Sequence, residues 1–191
     1  MPGWTELGNI WNTFKEIDIR PLVDEAERPI VLAFVGVEGA GKSTCIAALR
    51  HDKRAHEKVI SPTIEADLDA ATRLGDADLI VLMLDATHEN FDAEANLFRE
   101  WQSAKRNVLV FYNKMDAVAD VNAVSSTLPS WSGARIAFGS SLDHDSLATQ
   151  FSPRVLEALP SLHLALARRY PIFRLPVSRA LISETALANA T

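Results

Sequence analysis

The chain has 191 residues, 48% of them hydrophobic and 23% charged, a balance that suits one globular domain with small additions. A net charge of −6 and the lack of a long basic stripe argue against a nucleic-acid-binding surface. The single cysteine, Cys45, rules out an internal disulfide and fits a reducing cytoplasm, while no apolar run approaches membrane-spanning length.

Residues 4–19 read as an amphipathic helix, with Trp4, Leu7, Trp11 and Phe14 on one stripe, which Arg20-Pro21 should end or redirect. It either packs on the domain's own flank or meets a partner or a membrane surface. The apolar run Ile30–Val35 is of strand length. It is followed by Gly36-Val37-Glu38-Gly39-Ala40-Gly41-Lys42-Ser43-Thr44, and then by a helical stretch in which Cys45 reads as a core thiol. This is the G-x-x-x-x-G-K-S phosphate-binding loop in its strand–loop–helix setting. Glycines let a loop aim several backbone N–H groups at one anion and let the anion come close. The helix N-terminus adds a favourable dipole. Lys42 offers a point charge to the β- and γ-phosphates, and the Ser43 hydroxyl is a ligand for Mg²⁺.

After a charged connection over 51–58, Lys58–Ile60 and Thr63–Leu68 are two short strand candidates on either side of Ser61-Pro62. Residues 70–77 read as loop or short helix. Leu79–Leu84 is a buried strand ending at Asp85. Phe91 to Lys105 reads as a helix with Phe91, Ala95, Phe98 and Trp101 on one face. Asn107–Tyr112 is the next buried strand, ending at Asn113; a short helix near 119–127, a strand over Arg135–Phe138 and a helix over 145–158 follow. Two further helical stretches lie beyond Pro160 and Pro176. The five histidines show no mutual ligand spacing, and no zinc site is expected.

Apolar strands without alternation, each followed by a helical segment, predict a three-layer, doubly wound, mostly parallel α/β sheet with extra helices at both termini. Ligands in such folds sit at the carboxyl ends of the strands, where Gly36, Asp85, Asn113 and Gly139 all fall. The expected division is a helical extension over 1–28, a nucleotide-binding domain over 29–159 and a second helical extension over 160–191.

Asn113-Lys114-Met115-Asp116, at the end of an apolar strand, resembles the guanine-specificity motif of the GTPase superfamily. Guanine presents an N1–H and a 2-amino donor that one carboxylate, Asp116, can accept together, and adenine has no such pair on that edge. A site built on buried polar groups discriminates strongly when a wrong ligand would leave them unpaired. The Lys114 stem would lie along the base, and Asn113 would tie this loop to the phosphate loop. The motif starts 71 positions after Lys42. Ser140-Ser141-Leu142, after the last strand, loosely resembles the short loop with which GTPases contact the guanine oxygen through a backbone amide, without its usual alanine.

Together these motifs resemble the translation-factor-related small GTPases, and within them the Era-like bacterial branch, over residues 30–158. Leu84-Asp85-Ala86-Thr87 resembles a strand end common in that branch. The flanks resemble a bacterial group in which a hydrophobic region follows the GTPase domain, so this chain reads as a shortened relative or part of a longer one. The resemblance implies binding of GTP or GDP with Mg²⁺. Glu38 to Thr44 would hold the phosphates, Ser43 and Asp67 the metal, and Lys42 and Asp67 would be the catalytic groups. Asn113, Lys114, Asp116, Ser140, Ser141 and Leu142 would hold the base.

The chain departs from the family's third motif, D-x-x-G. It carries Asp67-Leu68-Asp69-Ala70, with Asp69 as the alternative acid and no glutamine at position 71. Only 25 positions separate Lys42 from Asp67, too few for a full first switch, and Thr63 is the one switch threonine on offer. Glu38 puts a carboxylate beside the γ-phosphate position, unfavourable unless it points outward. Slow intrinsic hydrolysis is therefore expected, with a regulatory protein or a second copy as the source of a missing group such as an arginine. Two other readings stay open: a nucleotide-holding scaffold that acts through its terminal helices, and an ATPase or kinase with Asp85 as its metal-binding acid.

Overall fold

The computed structural model describes residues 18, 20–50, 60–68, 74, 75 and 77–164. The predicted helix over 4–19, apart from Asp18, and the helical stretches after residue 164 lie outside the described residues, as do Asp69, Ala70 and the whole of the 51–59 connection.

The first described element was not foreseen. Helix α1 spans Arg20–Glu27, so Arg20-Pro21 opens a helix instead of only closing one. Proline in a first turn forfeits an N–H that has no helical partner anyway. Asp18 sits two residues ahead, and its carboxylate accepts the Arg20 backbone N–H at 3.0 Å. Asp-x-Arg-Pro is a start signal, and reading Pro21 as a breaker missed it.

Five strands form one sheet: β1 Ile30–Val35, β2 Ile60–Ala66, β3 Leu79–Asp85, β4 Val108–Asn113 and β5 Arg135–Phe138. Their spatial order is β2-β1-β3-β4-β5 and every neighbouring pair is parallel. Lys58 and Val59 lie outside the described residues, while Ile60 of the first strand candidate and Thr63–Ala66 of the second lie in one strand that runs through Ser61-Pro62. Its register against β1 slips between Ile30 and Leu32, opposite that dipeptide. Pro62 has no N–H to give a ladder, and an edge strand with an irregularity is where a sheet tolerates it. Thr63 pairs with Leu32 inside this strand. That puts its backbone roughly 13 Å short of Asp67, at about 3.3 Å per residue. It stands within the sheet and not in a switch loop.

The helices are α2 Lys42–Leu49, α3 Asp92–Ser103, α4 Val121–Thr127 and a final stretch, α5. In α5 three consecutive segments follow one another: His144–Ser146, a π turn over Leu147–Phe151, and Ser152–Ala158. The wide turn precedes Pro153, which cannot donate a helical bond, and the Ser152 hydroxyl bonds the Leu147 carbonyl at 2.9 Å.

Alternation along the strands builds a core on each face. Leu32, Phe34, Val81, Met83, Leu109 and Phe111 pack with Cys45, Ile46, Phe151 and Val155 of α2 and α5. Ala33, Val35, Leu82, Leu84, Val110 and Tyr112 pack with Phe98 and Trp101 of α3, Val124 of α4, and Trp131. The result is the three-layer α/β architecture expected, with a sheet that is wholly parallel.

At the strands' amino edge, Asp78 is a structural anchor. It accepts both terminal nitrogens of Arg28, at 2.8 and 2.6 Å, and the Val31 N–H at 2.8 Å, with His163 Nε2 at 3.3 Å. Burial pushes its carboxyl up, but the Arg28 guanidinium, the Val31 amide and the nearby His163 outweigh that and hold it below the ordinary carboxylate range. One side chain thereby joins the end of α1, the start of β1 and the short turn Ser161–His163 after α5.

Candidate functional site

Because all five strands run the same way, their carboxyl ends share one edge. The order β2-β1-β3 also makes the gap between β1 and β3 the point where chain direction across the sheet reverses, which is where open α/β sheets open a crevice. The loop after β1 fills it. Gly36 lies so close to β3 that a Cβ there would stand 2.4 Å from the Met83 carbonyl. Gly41 has φ +91, and a Cβ on it would meet Asn113 Nδ2 at 2.2 Å. Glycine is needed at 36 for space, and at 41 for both conformation and space. Gly41 is the N-cap of α2 and no side chain caps that helix, so its first-turn N–H groups face the cleft.

Lys42 is 6% exposed. Its ammonium donates to the Gly36 and Val37 carbonyls, both at 2.9 Å, and to Asp67 Oδ1 at 2.8 Å. Asp67 follows β2 directly and is exposed. The Ser43 hydroxyl donates to Glu65 Oε1 at 2.6 Å. A cleft of about 520 Å³ is lined by Glu38, Gly39, Gly41, Lys42, Ser43, Thr44, Glu65 and Asp67. Glu65 was not picked out from the sequence. The signal was there in Glu65-Ala66-Asp67, since two carboxylates at strand spacing share a face.

A second cleft of about 220 Å³ adjoins the first and shares Gly41 and Thr44 with it. Its other walls are Asn113, Lys114, Asp116, Ala117, Ser140, Ser141 and Leu142. Asn113 is the joint between the two. Buried at the end of β4, it donates from Nδ2 to the Ala40 carbonyl at 2.8 Å and accepts the Ser141 N–H on Oδ1 at 2.7 Å. Lys114 adopts the left-handed conformation, φ +63, and sends its ammonium to Asp85 Oδ2 at 2.6 Å. Asp116 is exposed on the turn Met115–Ala117, and Leu142 is 82% exposed at the rim.

Asp85 ends β3, yet it lines neither cleft. Its carboxylate is taken by Lys114 and by the Thr87 hydroxyl and N–H, at 2.6 and 3.0 Å. Burial alone would raise its pKa; these bonds outweigh it and lower the carboxyl below its usual value. The ATPase reading needs Asp85 beside Ser43, and Asp85 instead braces the Lys114 loop.

No protein-family model and no curated sequence matches the chain. Among solved structures it is similar to one described as a probable GTP-binding protein engB, with 13% identity, 67% of this chain and 97% of that chain covered, and a TM-score of 0.49.

The oxygen donors beside the phosphate loop suit a hard cation. Among the described residues no group of three or more His, Cys, Asp or Glu could hold a metal unaided. Mg²⁺ in nucleotide sites takes one or two protein oxygens and completes its shell with phosphate and water, so Ser43 with Asp67 or Glu65 fits. Among the described residues no helix is long and apolar enough to cross a membrane.

Proposed function

We propose that this chain is a guanine-nucleotide-binding protein of the translation-factor-related GTPase class, close to its Era-like branch. The observation that carries this reading is the pair of adjoining clefts held together by Asn113. One is walled by a phosphate loop and the other by an N-K-x-D loop. In this reading the loop amides and Lys42 hold the β- and γ-phosphates, and Asp116 accepts the two guanine donors. Lys114 keeps its stem along the base while Asp85 holds its ammonium. Ser43 and Asp67 would hold Mg²⁺, which when bound neutralises charge on the phosphate oxygens. The single cysteine supports a reducing, cytoplasmic setting.

Hydrolysis in this reading is slow. Positioning and charge stabilisation carry phosphoryl transfer, and this chain's binding parts are fuller than its hydrolytic ones: alanine stands at position 70 and no glutamine at 71. That same observation supports the second reading, a nucleotide-holding scaffold. Single-turnover hydrolysis with Mg²⁺ separates the two, since tight GTP binding without phosphate release selects the scaffold.

The test of the main reading is a titration of wild type and Asp116→Asn with guanine, xanthine and adenine nucleotides. Wild type should prefer GTP and GDP over ATP. The variant should lose guanine preference by about a hundredfold and gain xanthine binding. Preference for ATP, or a guanine preference that survives the substitution, refutes the assignment.

A further inference from the structure

The larger cleft is a poor host for a bare polyanion. Three carboxylates, those of Glu38, Glu65 and Asp67, line it against one ammonium, that of Lys42. Two of the three already hold the groups that phosphates and their counter-cation need: Asp67 holds Lys42 and Glu65 holds the Ser43 hydroxyl. Like charges repel several-fold more strongly in such a cleft than in open water, and a triphosphate adds more of the same sign. A divalent cation reverses the sign of that conflict, because hydroxyl and carboxylate oxygens are its natural ligands beside phosphate. The D-x-x-A segment accounts for Asp67. It gives no reason for Glu65, whose backbone sits in β2 opposite Phe34 while its exposed carboxylate reaches the phosphate-loop serine.

We propose that Glu65 deepens the dependence of nucleotide binding by this chain on a divalent cation. It is a positioning residue that holds the Ser43 hydroxyl and yields it only to a cation arriving with the phosphates. This inference rests on the guanine-nucleotide reading above. Without the cation, the Glu65 charge works against the incoming phosphates and its grip keeps Ser43 occupied. With the cation, the same charge favours the complex.

The experiment titrates a fluorescent GDP analogue into the full chain, in excess Mg²⁺ and in EDTA, and reads the ratio of the two Kd values. Wild type should bind about a hundredfold or more weakly in EDTA. Glu65→Gln keeps the size of the side chain and removes the charge. It should narrow the ratio by about tenfold, mainly through tighter binding in EDTA. Glu65→Ala should narrow it likewise, and thermal melting of both variants checks that the fold persists at this exposed position. Glu38→Gln removes a charge from the same cleft and should narrow the ratio less. An unchanged ratio in both Glu65 variants, or equal narrowing by Glu38→Gln, overturns the role of Glu65 and leaves the nucleotide assignment standing. Absence of guanine-nucleotide binding by wild type in both conditions overturns the assignment and this inference together.

Discussion

The side-chain amide of Asn113 stands 2.8 Å from the carbonyl of Ala40, although the two residues are 73 positions apart. With its other end on the Ser141 N–H, Asn113 ties the loop after β1 to the loop after β5. The bond is geometrically guarded, because any side chain at Gly41 would drive into the same amide.

Asn113→Ala orphans a buried carbonyl and a buried N–H at once. At about 1–3 kcal/mol for each unsatisfied group, softened by local relaxation, the expected loss is roughly 2–4 kcal/mol of folding stability. Nucleotide affinity should fall further than stability alone explains, since the two clefts lose their fixed separation. Chemical denaturation alongside nucleotide titration checks both. A variant with unchanged denaturation midpoint and affinity would show that Asn113 joins nothing.

Acid should loosen the other edge of the sheet. The folded-state carboxyl of Asp78 is held below the ordinary value near 3.8 by Arg28, the Val31 amide and His163. Its contribution is therefore complete above the ordinary carboxylate range, and drains away as pH falls from there through the lower folded-state value. Asp78→Asn removes that charge at every pH. It should cost roughly 2–3 kcal/mol near neutrality, less than for a fully dry pair because Arg28 is still partly solvated. Its stability should also depend less on pH below 5 than that of wild type. Urea melts of both proteins across pH 3–7 would measure the two slopes, and parallel slopes would reject the anchor.

Cys45 should be chemically silent in the folded protein. It lies on the buried face of α2, and burial pushes its thiol up to about 12, with the Ser141 side chain pulling the other way. At pH 8 the reactive thiolate is scarce and the sulfur is out of reach. A disulfide-exchange dye should modify native protein at least about a hundredfold more slowly than protein unfolded in guanidinium. Labelling at the free-thiol rate under native conditions would mean that α2 is not packed against the sheet.

Much of this architecture could be read from the chain because its signals are local. Val31 to Val35 and Ile80 to Leu84 are apolar without alternation, which only a sheet covered on both faces rewards, and a polar residue stops β3 at Asp85 and β4 at Asn113. What escaped depended on context. Pro21 is a breaker or a starter according to where Asp18 points, and Pro62 is a strand divider or an edge irregularity according to where β2 lies in the sheet. Glu65 looked like one more strand residue until the fold set it against Ser43, 22 positions earlier. Asp85 shows the converse: an apolar run ending in Asp fits a metal-binding acid locally, and only the fold reveals that Lys114 and Thr87 already occupy it.

The parallel sheet also dictates when the smaller cleft can form. Every pairing joins strands separated by a crossover, so no hairpin can nucleate locally and the loops ride on contacts distant in sequence. The smaller cleft needs Gly41 at one wall and Leu142 at the other, and β5 is the last of the described strands in chain order. A growing polypeptide would carry its glycine loop out of the ribosome long before it owned both walls of the smaller cleft, which closes only once β5 has joined the sheet.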